Sequence, residues 1–313
     1  MSAAAAGDAS SFRALLPKPW RHAPSADALA NWIARSLADN QIFDSQEARQ
    51  KRVPQITVFV AHCAPVVAPP GTLELAAQFL FAFFLLNDHW ESTRALIRGE
   101  SAQASHGVAF VRDWLATLRQ TYGARAQRFI LGFERYLQSL EREKLYEANA
   151  GHPTFAEYVD REFGRYQWVA TPPYIELWEM SLGIELGEPA RRAADDMKAL
   201  GVELTYIAND IGSLARDQAQ KNFVTLLMQE EPLLTTLDAA LARASAIYRE
   251  KADRLRSARQ AQSADTSLGR YAELVCNITD GNLRATTLLA HTGAAARYSP
   301  AARECLEGLP FTS

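Results

Sequence analysis

Residues Leu73 to Leu86, LELAAQFLFAFFLL, carry one charge, Glu74, in fourteen positions. A helix that is apolar all round must be buried all round, so other elements of the chain have to enclose it. The run is also shorter than the roughly 20 apolar residues that cross a bilayer. It therefore reads as a helix at the centre of a protein, and it ends abruptly in Asn87-Asp88-His89-Trp90-Glu91. Burying a carboxylate is costly unless it is paired, protonated or bound to a cation. These acids either emerge into solvent or face something positive.

The enclosing elements also read as helices. SADALANWIARSLADN has apolar residues at helical spacing behind Ser25 as a cap, and residues 72–98 form a longer helix ending near Gly99. The pattern recurs at 103–122, 124–148, 154–170, 174–183, 189–217, 235–262 and 266–293, and no segment makes a convincing strand. The expected fold class is all-α. Breaks at VVAPPG, NAGHP, TPP, LGEP and EEP are short and bring no shift in composition, so residues 19–313 read as a single domain. Residues 1–18, rich in Ala, Ser and Gly, offer little to bury and are expected to be disordered. No fixed-period repeat supports a solenoid.

Composition removes several classes of function. The formal net charge is −3 with 48% hydrophobic residues, and no basic cluster suggests a nucleic-acid or membrane partner. Cys63, Cys276 and Cys305 are widely spaced, without the pairing a zinc site needs, and fit a reducing compartment. MSAAAAGDASSF lacks the basic start and apolar core of a signal peptide, which points to the cytoplasm. No P-loop, HExxH or GxSxG motif occurs, and His62, His89 and His152 stand isolated, as structural histidines do.

Two stretches can carry chemistry. On a helix, Asn87, Asp88 and Glu91 lie within about 100° of arc and can converge on one cation. In LTYIANDIGSLARDQAQKNFV, Asn209, Ser213 and Asp217 repeat at i, i+4 and i+8, placing an amide oxygen, a hydroxyl and a carboxylate along a line of about 12 Å. All are hard oxygen donors suited to Mg²⁺ or Mn²⁺. An exposed polar stripe would look similar, although Asn and Ser are poor residues for a helix interior. Two such stretches imply a multi-metal site for a polyanion, most simply a diphosphate. Arg165, Arg216, Lys221 and the pair Arg297-Tyr298 are the cationic candidates; each by itself reads as a surface residue before an anion ligand, and their weight comes from the pattern.

Together these residues resemble the bacterial class I terpene synthases, from Trp32 to Tyr298. FAFFLLNDHWE resembles the family's aspartate-rich motif, with Asn87 in place of the first aspartate, Asp88 next, and Glu91 last. NDIGSLARD resembles its metal triad, with Asp217 where glutamate is usual and Arg216 in the basic position before it. Asn222-Phe223-Val224 and Arg297-Tyr298 resemble two further family motifs. The family's diphosphate-sensing arginine is best matched by Arg165, with Arg161 second: counting back from Asn209 reaches Phe163, whereas counting back from Pro172 reaches Arg165. The stretch from Gly281-Asn282 to the Arg-Tyr pair is longer than the family pattern and lacks its tryptophan.

The resemblance implies a helical bundle around an apolar cavity, with three Mg²⁺ ions at its mouth. Asp88, Arg165, Arg297 and Tyr298 would act on the departing diphosphate, with Arg216 and Lys221 also binding it. Phe81, Phe84 and Trp178 would face the prenyl chain. Of the aromatics near the motifs, which also include Trp90, Trp168, Tyr174 and Tyr206, helical spacing cannot divide cavity wall from ordinary core. The implied activity is cyclisation of a prenyl diphosphate, farnesyl diphosphate by the family's habit, with geranyl and geranylgeranyl diphosphate as alternatives. A chain-elongating prenyltransferase is disfavoured by the Asn/Ser/Asp triad. A non-catalytic helical binding protein with a degenerate metal site is the alternative of another class. Family members are often dimers, so a homodimer is compatible with the resemblance.

Overall fold

The computed structural model describes residues 24–43, 45–65, 70–88, 94, 106–148, 153–217, 221–291 and 300–312. Among these, every regular element is a helix. In chain order the helices are α1 (Pro24–Asp39), α2 (Gln46–Cys63), α3 (Pro70–Asp88), α4 (His106–Tyr122), α5 (Ala126–Ala148), α6 (Phe155–Val159), α7 (Arg165–Trp168), α8 (Thr171–Ser181), α9 (Glu188–Asp217), α10 (Phe223–Glu230), α11 (Leu237–Gln260), α12 (Ser267–His291) and α13 (Pro300–Glu307). The fold class is all-α, as expected. Residues 1–18 lie outside the described residues.

Local chemistry sets many of the helix starts. The Ser45 side chain accepts the Ala48 N–H at 3.1 Å, Thr236 accepts that of Ala239 at 3.2 Å, and Thr154 forms a reciprocal capping box with Glu157. α1 begins at Pro24, one residue ahead of the expected cap position, where a missing N–H costs nothing. The helix expected over 154–170 is two short ones, because the Asp160 side chain accepts the N–H groups of Glu162 and Phe163 and makes a turn between α6 and α7. Helix α2, which carries Pro54 inside it, was not among the expected elements, nor were α10 and α13.

α12 packs most extensively on α9 and α2, and both contacts depend on glycine. A Cβ on Gly281 would lie 2.3 Å from the backbone oxygen of His62, and one on Gly201 would lie 2.6 Å from Val275. Only a residue without a side chain admits such approach. The apolar run of α3 is enclosed as its composition requires. On one side Phe79 meets Trp114, Phe129 and Phe133 at ring separations of 6.4, 6.3 and 6.1 Å. On another, Phe81 stacks on Trp32 of α1 at 6.0 Å.

Candidate active site

The triad stretch occupies the last turns of α9. Asn209 is half-buried, and its amide oxygen accepts the Thr286 hydroxyl of α12 at 3.0 Å. Ser213 follows one turn later, half-buried on the same face. Asp217 is the last residue of α9, and its side chain and that of Arg216 lie outside the described residues. Asp88 likewise ends α3 with its side chain outside them, while Asn87 is half-buried. Trp90, Glu91, Arg297 and Tyr298 are also outside. Among the described residues, no three His, Cys, Asp or Glu side chains form a metal-binding group, which follows from a triad whose described members are an amide and a hydroxyl.

Between Asn209 and the next turn stands Asp210, fully buried and surrounded by donors. Arg165 gives its Oδ1 two hydrogen bonds, from Nε at 3.1 Å and Nη2 at 2.8 Å. Oδ2 accepts the Tyr158 hydroxyl and the Phe223 N–H, the latter at 3.0 Å. The Asn222 side-chain amide donates to the Asp210 carbonyl at 2.7 Å. A carboxylate this deep is stable only with such a set of donors. Burial, and then the adjacent Asp210 charge, hold the Tyr158 phenol well above its ordinary pKa, so it stays a donor. One carboxylate thus joins α6, α7, α9 and the start of α10.

Arg165 and Arg161 are thereby separated. The Arg165 side chain, 18% exposed, lies next to the triad's helix turn. Arg161, 60% exposed, pairs instead with Glu203 at 2.7 Å, almost two turns before Asn209. Lys221 lies 3.5 Å from Glu143 of α5, just before the Asn222 cap of α10.

Asn209 also borders a cavity of about 80 Å³. Phe59 of α2, Phe79, Leu80, Phe83 and Phe84 of α3, Tyr174 of α8 and Ile278 of α12 form its apolar wall. Its polar lining is Asn209 and Thr205 of α9, Thr171 of α8 and Asn282 of α12. Helix geometry explains the division of the α3 aromatics: residues 79, 80, 83 and 84 share one face, and residue 81, about 200° from residue 79, looks the other way. Phe84 therefore lines the cavity, with the Arg52 guanidinium 4.3 Å from its ring centre, while Phe81 is in the α1 interface and is not a lining residue. Trp178 stands behind the wall, edge-on to Tyr174 at 6.2 Å, and does not line it either. The remaining wall is Cys63 of α2 and the backbone step between α7 and α8, where Ala170 adopts the left-handed conformation at φ 56°. Pro172 and Pro173 start α8 there, and a non-glycine residue in that conformation costs about 1–2 kcal/mol.

Asn209 and Ser213 thus share one face of α9, with the Asp210–Arg165 pair behind them and an aromatic cavity beside Asn209. Residues 42–254 match the family model described as terpene synthase family 2, C-terminal metal binding. The chain belongs to that family. As a terpene synthase it has the all-α class I fold shared by solved members. It is 20% identical to a linalool/nerolidol synthase from Streptomyces clavuligerus solved with 2-fluorogeranyl diphosphate, at TM-score 0.69, covering 83% of this chain and 98% of that one. A hedycaryol synthase solved with nerolidol is 19% identical, at TM-score 0.67, over 83% and 93% of the two chains. Comparison with curated protein sequences gives no match. Among the described residues, no helix is long and apolar enough to cross a membrane.

Asp210, Thr205 and Thr171 were absent from the residues picked out in the sequence. Asp210 had one usable signal: it follows Asn209 directly, about 100° round the helix, and so had to point into the bundle when Asn209 pointed to the mouth.

Proposed function

We propose that this terpene synthase is a Mg²⁺-dependent cyclase that ionises a prenyl diphosphate, farnesyl diphosphate as first choice, and closes the carbocation into a ring with release of diphosphate. The observation that carries the reading is that Asn209, first residue of the triad, borders the aromatic cavity while the next residue, Asp210, holds Arg165. The donor set fits Mg²⁺: Asn209, Ser213 and Asp217 on one side and Asn87, Asp88 and Glu91 on the other offer oxygen only. When bound, the metal supplies positive charge that stabilises the departing diphosphate.

The chain's own groups do the rest. Arg165, already desolvated on one side by Asp210, presents a charged fork to a diphosphate, with Arg216, Lys221, Arg297 and Tyr298 as further donors. Phe59, Phe79, Phe83, Phe84 and Tyr174 offer π-faces to a cation and exclude bulk water while it rearranges. At about 80 Å³ the cavity is smaller than the roughly 300–1,000 Å³ of sites for drug-sized ligands. The half-buried rings of Phe83 and Phe84 must part to admit a prenyl chain. The linalool/nerolidol synthase relative, solved with a geranyl diphosphate analogue, supports the substrate class. The three cysteines are free thiols, which suits work in the cytoplasm. We also propose that residues 19–313 form one domain, with a homodimer as the assembly to test.

Purified protein is incubated with geranyl, farnesyl or geranylgeranyl diphosphate and Mg²⁺, with gas chromatography for products and an assay for released diphosphate. A cyclic terpene from one chain length, lost with a chelator, is expected. No product and no diphosphate release from any of the three would sink the enzymatic reading.

A further inference from the structure

Three basic residues stand close together near the start of α2, and they do different things. Arg49 gives its Nη1 to the Phe43 carbonyl at 2.6 Å and secures the link from α1. Lys51 is exposed. Arg52 lies seven residues before Phe59, which lines the cavity, and so within about 20° of it round the helix. That places Arg52 on the cavity-facing stripe of α2, about 10 Å nearer the helix start, beside the last turns of α3.

The Arg52 guanidinium lies 4.3 Å from the centre of the Phe84 ring and 6.0 Å from that of Phe43, and its Nη1 donates to the Gln55 amide oxygen at 3.0 Å. Phe84 stands one turn before Asn87 and Asp88, which flank it by about 60° and 40° on the helix. The same half-buried ring has to move before a cavity of about 80 Å³ can take a prenyl chain. A guanidinium is weakly hydrated and rests well on an aromatic face, but a phosphate oxygen is the stronger partner, because it accepts one or two charge-assisted hydrogen bonds from the fork. An anion arriving beside Asn87 therefore competes with Phe84 for Arg52, and wins.

We propose that Arg52 is a further substrate-binding residue: it donates to the diphosphate and, in doing so, gives up the Phe84 ring, which turns aside for the prenyl chain. The inference rests on the synthase reading above. Head group and tail then assist each other, since whatever draws Arg52 away from Phe84 also eases entry to the cavity. In the empty enzyme the ring holds back the cation, so removing the ring strengthens diphosphate binding. A residue that only packs between α2 and α3 has no such effect.

The test is calorimetric titration of the full chain with inorganic diphosphate in excess Mg²⁺, for the wild type, Arg52→Met, Arg52→Lys, Phe84→Leu and the Arg52→Met/Phe84→Leu double variant. Methionine keeps an apolar stem against Phe84 and removes the charge. Losing one hydrogen bond to a charged group weakens binding about tenfold in Arg52→Met, and Arg52→Lys recovers most of the loss. Phe84→Leu tightens binding about threefold, by the worth of a modest cation–π contact, and has no effect once Arg52 is methionine. An unchanged Kd in Arg52→Met, or an unchanged or weaker one in Phe84→Leu, overturns the inference. The synthase reading still stands in that case if the wild type releases diphosphate from a prenyl diphosphate. Phe84→Leu decides the matter even if the methionine variant does not fold. A wild type that neither binds diphosphate with Mg²⁺ nor releases it from any prenyl substrate overturns the synthase reading and this inference with it.

Discussion

Asp210 carries more of the local structure than either triad neighbour. Replacing it with asparagine leaves the Arg165 guanidinium, 18% exposed, without its carboxylate and frees the N–H of Phe223 from its acceptor. Breaking one side of a buried pair costs about 3–5 kcal/mol, so Asp210→Asn should lower the urea midpoint by that much in free energy. Asn87 predicts the opposite sign. An amide offers one neutral oxygen where a carboxylate offers two charged ones, so Asn87→Asp should keep or raise turnover while Asp88→Ala and Asn209→Ala abolish it. An inactive Asn87→Asp enzyme would show that the amide is required there. The triad stretch stood out because Asn209 and Ser213 are poor residues for a helix interior and repeat at one-turn spacing. Asp210 was not, because Tyr158, Arg165 and Phe223 come from α6, α7 and α10, and no local pattern announces that they meet.

The long helices could be read from periodicity, α9 and α12 to within a residue or two of their ends. The segment over 154–170 could not, since the Asp160 turn depends on one side chain capturing two N–H groups and leaves the apolar pattern almost untouched. The same holds for the left-handed Ala170, whose conformation is imposed by α7 and α8 from either side. Helix α12 shows what tight packing demands. In Gly281→Ala the new methyl would stand 2.3 Å from His62 O and 2.7 Å from Cys63 Cα, both backbone atoms that cannot swing aside. Overpacking of that kind costs about 1–3 kcal/mol, and the variant should unfold at a correspondingly lower denaturant concentration. An unchanged midpoint would mean that α2 and α12 separate freely.

Charge is also buried elsewhere in the bundle, along α8. Glu176 of α8 meets Lys198 of α9 at 2.9 Å and Arg128 of α5 at 3.6 Å, while Glu179 meets Arg191 at 2.6 Å. Burial raises the Glu176 pKa above its ordinary 4.5, more than the two cations lower it. The folded state therefore holds this proton more tightly than the unfolded chain. Its contribution to stability is present below the unfolded value and is lost as pH rises from there through the folded value. Glu176→Gln removes that dependence, so the stability difference should move in the variant's favour as pH rises above 4.5. Denaturation of both proteins at several pH values measures it. Ligand linkage provides a second check: inorganic diphosphate with Mg²⁺ at a hundred times its Kd should stabilise the fold by about 2.7 kcal/mol, and either component alone by less. Thermal melting with each addition distinguishes these cases.

The glycine-mediated contacts of α12 have a practical consequence for altering substrate length. With Gly281 against α2 and Gly201 against α12, that wall has no slack to yield, and trimming its side chains would leave the backbone where it is. Phe83 and Phe84 on the opposite wall are half-buried and are the side chains to shorten for a longer isoprenoid. A library aimed at new chain lengths belongs on α3, with α12 kept as the fixed template against which the enlarged substrate is shaped.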